Sequence, residues 1–191
     1  MISTFTAVID ANVFYGARLR SLILYLALTG LFRARWTNTI HEEWISNLLS
    51  QRKYLRRSDL DRVRSLMNSA VEDCLITNYE GLTASLTLPD PDDRHVLAAA
   101  IRGRANVIVT FNERDFPVDV LAIYGIHTRH PDDFILDLFG VDEVACMAAV
   151  QADVSHYLAP PLSLEDYLAG LELAGIGRTA TYLRERKIIL V

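Results

Sequence analysis

The chain has 191 residues, of which 51% are hydrophobic and 23% are charged. This composition suits one globular domain with an appendage and excludes an intrinsically disordered chain. The net charge of −5 excludes general electrostatic attraction to nucleic acids or anionic lipids, so any phosphate ligand must be held by local features. The two cysteines, Cys74 and Cys146, lack metal-ligand spacing and predict buried thiols in a reducing compartment.

No segment predicts a membrane span or a secretion signal. The longest apolar run, residues 22–32, is too short to cross a bilayer. The first ten residues lack a basic region followed by a cleavable apolar one. We therefore expect a cytoplasmic protein that has no contact with a membrane.

The first elements predict a strand, a helix and a second strand. Residues 5–9 form a short β-favouring run that ends at Asp10. Residues 13–29 are apolar almost all round and predict a buried helix, with Gly30 as its C-cap. Residues 33–37 predict a weaker second strand.

Two capping boxes predict the next two helix starts. Thr39 and Glu42 have the spacing in which a threonine side chain and a glutamate side chain each bond the other's backbone N–H. Ser58 and Asp61 repeat this spacing ahead of apolar residues at helical intervals. Two helices should therefore begin near these positions.

The stretch TLPDPDDRHVLAAAI, residues 87–101, places three aspartates before an apolar helix that Gly103 should end. Asp90 fits the N-cap, Pro91 the first helical position and Asp93 the capping-box position. Capping alone would explain the acidic cluster, and a metal site is the alternative. Both interpretations stay open at this point.

The second half predicts two more strands and then only helices. NVIVT, residues 106–110, is a short β-branched run, and YGIHT, residues 124–128, predicts the last strand. Strands that alternate with helices imply an α/β fold, a three-layer α/β/α domain with a central parallel sheet. We assign residues 1–130 to this domain and residues 131–191 to a helical extension packed on it.

Acidic residues from four separate segments should meet at one edge of this sheet. In right-handed βαβ units, strand ends and the helix starts that follow them share the carboxyl edge. The acids at these positions are Asp10, Glu42, Glu43, Asp90, Asp92, Asp93 and Asp115. Crowded carboxylates repel each other unless they are protonated or a cation neutralises them. Ligands that are all oxygen favour Mg²⁺ or Mn²⁺.

Each of these acids also has a local interpretation. Asp10 ends a buried strand and needs a partner, which Asn12 can supply, but it can also be a simple N-cap. Glu42 is better explained as the capping partner of Thr39. Glu43 lies away from the apolar face of its helix, as an ordinary solvated glutamate does. Periodicity alone therefore does not select Glu43.

Four segments, in this order and spacing, are similar to the PIN-domain ribonucleases, and among them to the VapC-like toxins of bacterial toxin–antitoxin systems. The segments are VIDANV (8–13), TNTIHEEW (37–44), LPDPDDRHVLAAA (88–100) and VIVTFNERDFP (107–117). The resemblance covers roughly the first 130 residues and implies the three-layer α/β/α fold of that family. It implies metal-assisted hydrolysis of RNA phosphodiesters by a toxin with a cognate antitoxin.

The resemblance also implies a site. Asp10, Glu43, Asp93 and Asp115 match the family's catalytic acidic pocket, which holds one or two Mg²⁺ or Mn²⁺ ions. Asp10 and Asp93 would bind an ion directly, whereas Glu43 and Asp115 would act through water, hold a second ion or position the attacking water. The supporting polar positions are Asn12, Asp90, Thr110 and Asn112.

Basic residues near the pocket are candidates for binding RNA. Arg94 and Arg114 lie beside pocket positions and can grip a phosphate through two hydrogen bonds. In QRKYLRR, residues 51–57, Arg52 and Lys53 can bind the backbone while the neighbouring tyrosine stacks on a base. The alternative for this run is a solvated helix face.

Two other functions and one partner remain open. A haloacid-dehalogenase-like phosphatase also begins with a strand ending in aspartate, but it requires a second aspartate where this chain has Asn12, and a later lysine that is missing. A catalytically inactive PIN-like module, whose carboxylates only cap helices, is the non-enzymatic alternative. A second copy of the chain, forming a homodimer, is a further candidate partner.

Overall fold

Four parallel strands and ten α-helices make up the part of the computed structural model that is described, residues 5–157 and 161–186. The strands are β1 (Phe5–Ile9), β2 (Phe32–Arg35), β3 (Val107–Val109) and β4 (His127–Arg129). The helices are α1 (Ala17–Ala27), α2 (Asn38–Gln51), α3 (Arg57–Ala70), α4 (Glu80–Thr83), α5 (Arg94–Arg102), α6 (Val118–Ala122), α7 (Pro131–Val141), α8 (Glu143–Ser155), α9 (Leu164–Leu173) and α10 (Gly177–Glu185).

The sheet has the strand order β2-β1-β3-β4, and every pairing in it is parallel. Val8 in β1 lies opposite Arg35 on one side and Ile108 on the other. All three residues of β3 are buried, as expected for a strand covered on both faces. Helices α1 and α5 pack on the strands. The predicted three-layer α/β/α fold is confirmed.

The last strand begins three residues later than predicted. Residues 124–126 close helix α6 instead, since the N–H groups of Tyr124 and Gly125 donate to Leu121 and Ala122. Gly125 has a φ of +67°, a left-handed conformation that glycine adopts without steric cost. The glycine therefore ends a helix where the sequence pattern predicted a strand.

The predicted helix 13–29 is divided near its start. A 3₁₀ turn covers Ala11–Phe14, and α1 begins only after Gly16. A Cβ atom at Gly16 would lie 3.2 Å from the Cβ atom of Ala174 in the extension, so the chain approaches closely there. The helix ends at Leu28, and Gly30 follows with a φ of +76°. The predicted glycine stop is thus confirmed.

Both predicted capping boxes are wrong. Helix α2 starts at Asn38, because Thr37 Oγ1 accepts a hydrogen bond from the N–H of Ile40 at 3.0 Å. Thr37 therefore caps α2 two residues before the predicted position, which places Thr39 and Glu42 inside the helix. Helix α3 starts before Ser58 and has no side-chain cap.

The extension packs on the sheet domain through α1 and β2. Helices α8 and α9 contact α1, and the Phe134 ring lies edge-on to Phe32 at 5.0 Å between centroids. The helical character predicted for residues 131–191 is confirmed where the chain is described, and residues 187–191 lie outside that part. Across residues 5–157 and 161–186, no helix combines the length and hydropathy needed to cross a bilayer.

A buried carboxylate fastens the extension to α1. Asp153 on α8 is fully buried and accepts hydrogen bonds from Ser21 Oγ at 2.5 Å and from Tyr167 Oη at 2.7 Å. Burial raises the pKa of Asp153, and these two donors oppose that shift. The three side chains come from α1, α8 and α9, so one polar cluster joins the two parts of the chain.

We expect Asp153→Ala to lower the free energy of unfolding by about 2 to 4 kcal/mol, because it leaves the buried Tyr167 hydroxyl and the half-buried Ser21 hydroxyl without this acceptor. Urea denaturation followed by circular dichroism measures this loss. Asp137→Ala is the matched control, since Asp137 is exposed and pairs with Arg129 at the surface; it should cost less than about 1 kcal/mol. Equal losses in the two variants would contradict the role assigned to Asp153.

Candidate active site

Asp10 directly follows β1 and forms hydrogen bonds through both its backbone and its side chain. Its backbone N–H donates to Val109 O at 3.0 Å, which continues the sheet by one residue. Its Oδ1 accepts from the N–H of Ala11 at 2.6 Å, and its Oδ2 accepts from Thr110 Oγ1 and Asn12 Nδ2, both at 2.7 Å. Asp10 is therefore both the N-cap of the 3₁₀ turn and the centre of a polar network.

Asn12 and Thr110 join the ends of β1 and β3. Asn12 Nδ2 also lies 3.0 Å from Thr110 Oγ1, and Asn12 Oδ1 accepts from the N–H of Phe111 at 3.2 Å. Thr110 Oγ1 in turn accepts from the N–H of Asn112 at 3.0 Å. The structure brings the predicted supporting residues Asn12 and Thr110 to Asp10, whereas Asn112 enters this network only through its backbone.

The three aspartates before α5 have different surroundings. Asp90 Oδ1 accepts from the N–H of Asp92 at 2.9 Å, and Pro91 occupies the first position of the 3₁₀ turn Pro91–Asp93. Asp92 is exposed. Asp93 is the N-cap residue of α5 but makes no capping hydrogen bond, and its Oδ2 is buried without a partner. Capping thus explains Asp90 and Pro91, and the capping role predicted for Asp93 is wrong.

Carboxylates crowd around Asp93. The pKa of Asp93 is raised from 3.8 to about 7, mainly by burial and also by neighbouring negative charges. In order of size, these are the charges of Asp10, Asp90, Asp115 and Glu43. Burial is also the main reason that the pKa of Asp10 rises to about 6, and the charge of Glu43 adds to it. The predicted acids therefore lie within electrostatic reach of each other.

Two adjacent glutamates on α2 meet different partners. His95 on α5 places its Nε2 3.1 Å from Glu43 Oε2, without hydrogen-bond geometry, so this buried oxygen has no hydrogen-bond partner. Glu42 instead forms ion pairs with Arg57 and Arg64 of α3 at 2.8 and 2.7 Å. Glu43 therefore faces the pocket, although sequence periodicity assigned it to solvent.

Sequence reasoning missed two residues beside the pocket. Tyr15 Oη accepts a hydrogen bond from Asn47 Nδ2 at 2.5 Å. Burial raises the pKa of Tyr15, the Asn47 bond opposes this, and the charges of Glu43, Asp10 and Asp93 raise it further. Asn47 lies one helical turn after Glu43, a spacing visible in the sequence. The position of Tyr15 depends on the 3₁₀ turn, which the sequence pattern did not reveal.

The predicted basic residues have unpaired charges. Arg94 is half-buried, and its Nε is buried without a partner. Arg114, Arg52 and Lys53 are exposed. Across the described ranges, none of these four cations forms an ion pair. They remain free to bind an anion.

The donor set fits a hard divalent cation. Buried carboxylate oxygens without donors, on Asp93 and Glu43, and acids with raised pKa values are stabilised when a cation neutralises them. Within residues 5–157 and 161–186, no group of three His, Cys, Asp or Glu side chains is positioned to coordinate a metal ion. The acids Asp10, Asp93, Glu43 and Asp115 could hold Mg²⁺ or Mn²⁺ after small side-chain movements.

Comparison with known proteins identifies the family. Residues 6–114, more than half of the chain, match the PIN domain, and residues 131–185 match the VapC50 C-terminal domain. "Putative ribonuclease VapC50" of Mycobacterium tuberculosis is 48% identical over 79 residues, which cover 41% of this chain. The aligned part spans about half of that relative, 47% of its length. No solved structure matches the chain.

These matches agree with the VapC-like resemblance and give no support to a phosphatase. Together with the parallel sheet and the position of Asp10 at its carboxyl edge, they establish that the chain belongs to the PIN domain family.

Proposed function

We propose that the protein is a Mg²⁺- or Mn²⁺-dependent endoribonuclease and the toxin of a toxin–antitoxin pair. One observation carries the nuclease proposal: Asp93 caps nothing, yet its Oδ2 is buried among the charges of Asp10, Glu43 and Asp115. Such an arrangement lowers stability unless a cation is bound there. RNA as the substrate is supported by the relative that is named as a ribonuclease.

Asp10 and Asp93 would hold the ion directly, and Glu43 and Asp115 would hold it through water or bind a second ion. The bound ion supplies a coordinated water of lowered pKa and offsets the charge that develops on the phosphate. Glu43 Oε2, which has no hydrogen-bond partner, can accept a proton from the attacking water.

The remaining residues orient the acids and the substrate. Thr110 and Asn12 donate to Asp10 Oδ2, so they fix this carboxylate and offset part of the cost of its ionisation. Arg94 and Arg114 carry charges without ion pairs and can bind the phosphates on either side of the cleaved bond.

The inactive-module alternative requires that the acids serve only as caps. Asp10 and Asp90 do accept capping hydrogen bonds. Asp93 and Glu43 do not, and each has a buried oxygen without a partner. Capping leaves these two acids unexplained, so we favour the enzyme.

We expect the protein to cleave single-stranded RNA in Mg²⁺ or Mn²⁺, and chelation to stop cleavage. Asp10→Asn and Asp93→Asn should each lower the rate by about 100-fold or more, because each removes a ligand that stabilises transition-state charge. Gel analysis of labelled RNA measures the rate. The control is Asp92→Asn, the same change in the exposed neighbour of Asp93, which should stay within about twofold. If RNA cleavage persists in both Asp10→Asn and Asp93→Asn, the nuclease proposal is wrong.

The acidic pocket should also make the stability of the folded protein depend on pH and on bound metal. Because Asp10 and Asp93 have folded-state pKa values of about 6 and 7, above 3.8, the unfolded chain loses these protons first as pH rises. Without metal, their contribution to stability is fully present below about pH 4 and is lost as pH rises to about 7. Asp93→Asn should therefore raise the melting temperature at pH 7.5 in EDTA and change it little at pH 4.

Thermal melts of the two proteins across this pH range provide the measurement. Millimolar Mn²⁺ should raise the melting temperature of the wild-type protein at pH 7.5 and have less effect on Asp93→Asn, since a ligand stabilises only the state that binds it. A wild-type protein that does not respond to the ion would contradict the metal site.

The toxin proposal concerns the cell rather than the isolated protein. It is supported by the similarity of the C-terminal helices to the VapC50 C-terminal domain. We expect cytoplasmic expression to arrest growth, the Asp93→Asn variant to be tolerated, and coexpression of a small protein encoded beside this chain to restore growth. Growth curves measure all three. Harmless expression of a protein that is an active ribonuclease would contradict the toxin role.

A further inference from the structure

We propose that single-stranded RNA extends from the acidic pocket along helix α2, over a surface that we call the α2 track. Its residues are Tyr15, Asn47, Arg52, Lys53 and Tyr54. This inference rests on the proposed nuclease function and adds a binding surface outside the acidic pocket.

The part of the α2 track next to the pocket offers hydrogen bonds to a base. Asn47 lies four residues after Glu43, so both side chains project from one side of α2. Tyr15 Oη accepts from Asn47 Nδ2, and no described residue bonds the tyrosine O–H or the amide oxygen, so both can bind another group. Asn47 is exposed and Tyr15 is half-buried. An accessible amide beside an aromatic ring suits the recognition of an unstacked base.

The far end of the α2 track carries unpaired positive charge. In QRKYLRR, Arg56 and Arg57 form ion pairs with acids of α2 and α3. Arg52 and Lys53 form none in the part of the chain that is described, and both are exposed. Tyr54 is 77% exposed, so its ring is available for stacking. Ion pairs thus account for two of the four cations in this run and leave Arg52 and Lys53 available to bind phosphate.

A buried arginine adds to the positive potential there. Arg20 lies over the Trp44 ring at 4.8 Å, and its Nη1 donates to Phe14 O at 2.5 Å. Burial lowers the pKa of Arg20 to about 10, and the nearby charge of Arg52 contributes to this shift. No carboxylate pairs with Arg20 among the described residues. Cations at a helix C-terminus interact favourably with the helix dipole. In a chain with net charge −5, a surface that binds RNA also requires a local cluster of cations.

Helix α2 therefore has opposite charges at its two ends. Glu43 and Arg52 are separated by about 14 Å along the helix axis, at 1.5 Å per residue. This distance accommodates a short stretch of single strand whose cleaved phosphate lies in the pocket and whose next phosphates reach Arg52 and Lys53. Stacking on Tyr54 requires bases that are free of a duplex. The chemistry thus favours single-stranded over double-stranded RNA.

Fluorescence anisotropy of a labelled unstructured RNA, with Ca²⁺ occupying the carboxylates, measures binding. The double variant Arg52→Gln/Lys53→Gln should weaken binding about tenfold and flatten the slope of log K against log salt by about 1.4, the value for two phosphate contacts on a single strand. Tyr54→Ala should weaken binding about tenfold through lost stacking. A duplex of the same sequence should bind less tightly than the single strand.

Two exposed residues outside the α2 track provide matched controls. Arg62→Gln removes a cation of α3, and Tyr124→Ala removes an aromatic ring that is 42% exposed. Both should bind within about twofold of the wild-type protein. Because Tyr15 is half-buried, Tyr15→Phe tests the inner end: it should keep the melting temperature and alter the base preferred at the cut site.

The outcomes separate this inference from the proposed function. Cleavage in Mg²⁺ or Mn²⁺ with unchanged binding by the Arg52/Lys53 and Tyr54 variants would overturn the α2 track and leave the nuclease intact. Binding that these variants weaken, without any cleavage by the wild-type protein, would support the α2 track and overturn the nuclease. Equal losses in the variants and the controls, no binding by the wild-type protein, or equal binding of duplex and single strand would each overturn the inference.

Discussion

The hydrogen bonds around Asp10 are the constraint on which the site depends. They join the carboxyl ends of β1 and β3 through two side chains, Asn12 and Thr110, and the same bonds fix the direction of a buried carboxylate. A buried aspartate is tolerable in the fold because its oxygens are satisfied. The remaining acids have no comparable support. Asp93 and Glu43 each keep a buried oxygen without a hydrogen-bond donor among the described residues, so the fold satisfies the oxygens of Asp10 but not these two.

The acids without hydrogen-bond donors lower the free energy of unfolding, and the rest of the molecule must compensate for this loss. Crowded acids oppose folding at neutral pH, and the apolar interior has to outweigh them. The interior includes all three residues of β3, the Trp36 and Trp44 side chains, and most of α5. Proteins commonly keep such unfavourable arrangements at functional sites. Acids on this one short turn also have unequal roles: Asp90 stabilises the turn, whereas burial and neighbouring carboxylates raise the pKa of Asp93.

The parts of the fold that sequence could predict were those set by short-range patterns. β1 and β3 are β-branched runs and the glycine stops at Gly30 and Gly103 are local, so all were found. The predicted box at Thr39 failed because Thr37, outside that box, caps α2 two residues earlier by accepting from the Ile40 amide. Glu43 illustrates a deeper limit. Its periodicity points to solvent, and only the approach of His95 from α5 turns that side into a pocket wall. The resemblance to a family selected Glu43, since spacing within one helix contains no information about a helix that arrives 50 residues later. Tyr15 was missed because its position depends on the 3₁₀ turn, which the sequence pattern did not reveal.

The C-terminal helices contribute to the support of the site. The turn between α9 and α10 places Ala174 against Gly16, where a Cβ would come within 3.2 Å, and Gly175 against the ring of Phe111, where a Cβ would come within 3.0 Å. Gly16 follows Tyr15, and the N–H of Phe111 donates to Asn12 Oδ1. Gly175 has a φ of +85°, so a side chain there would strain the turn and collide with this ring. The turn thus packs directly behind residues that position Asp10 and the inner end of the α2 track. Asp153 also joins α8 and α9 to α1, so hydrogen bonds as well as close packing connect the extension to the elements that support the acidic pocket.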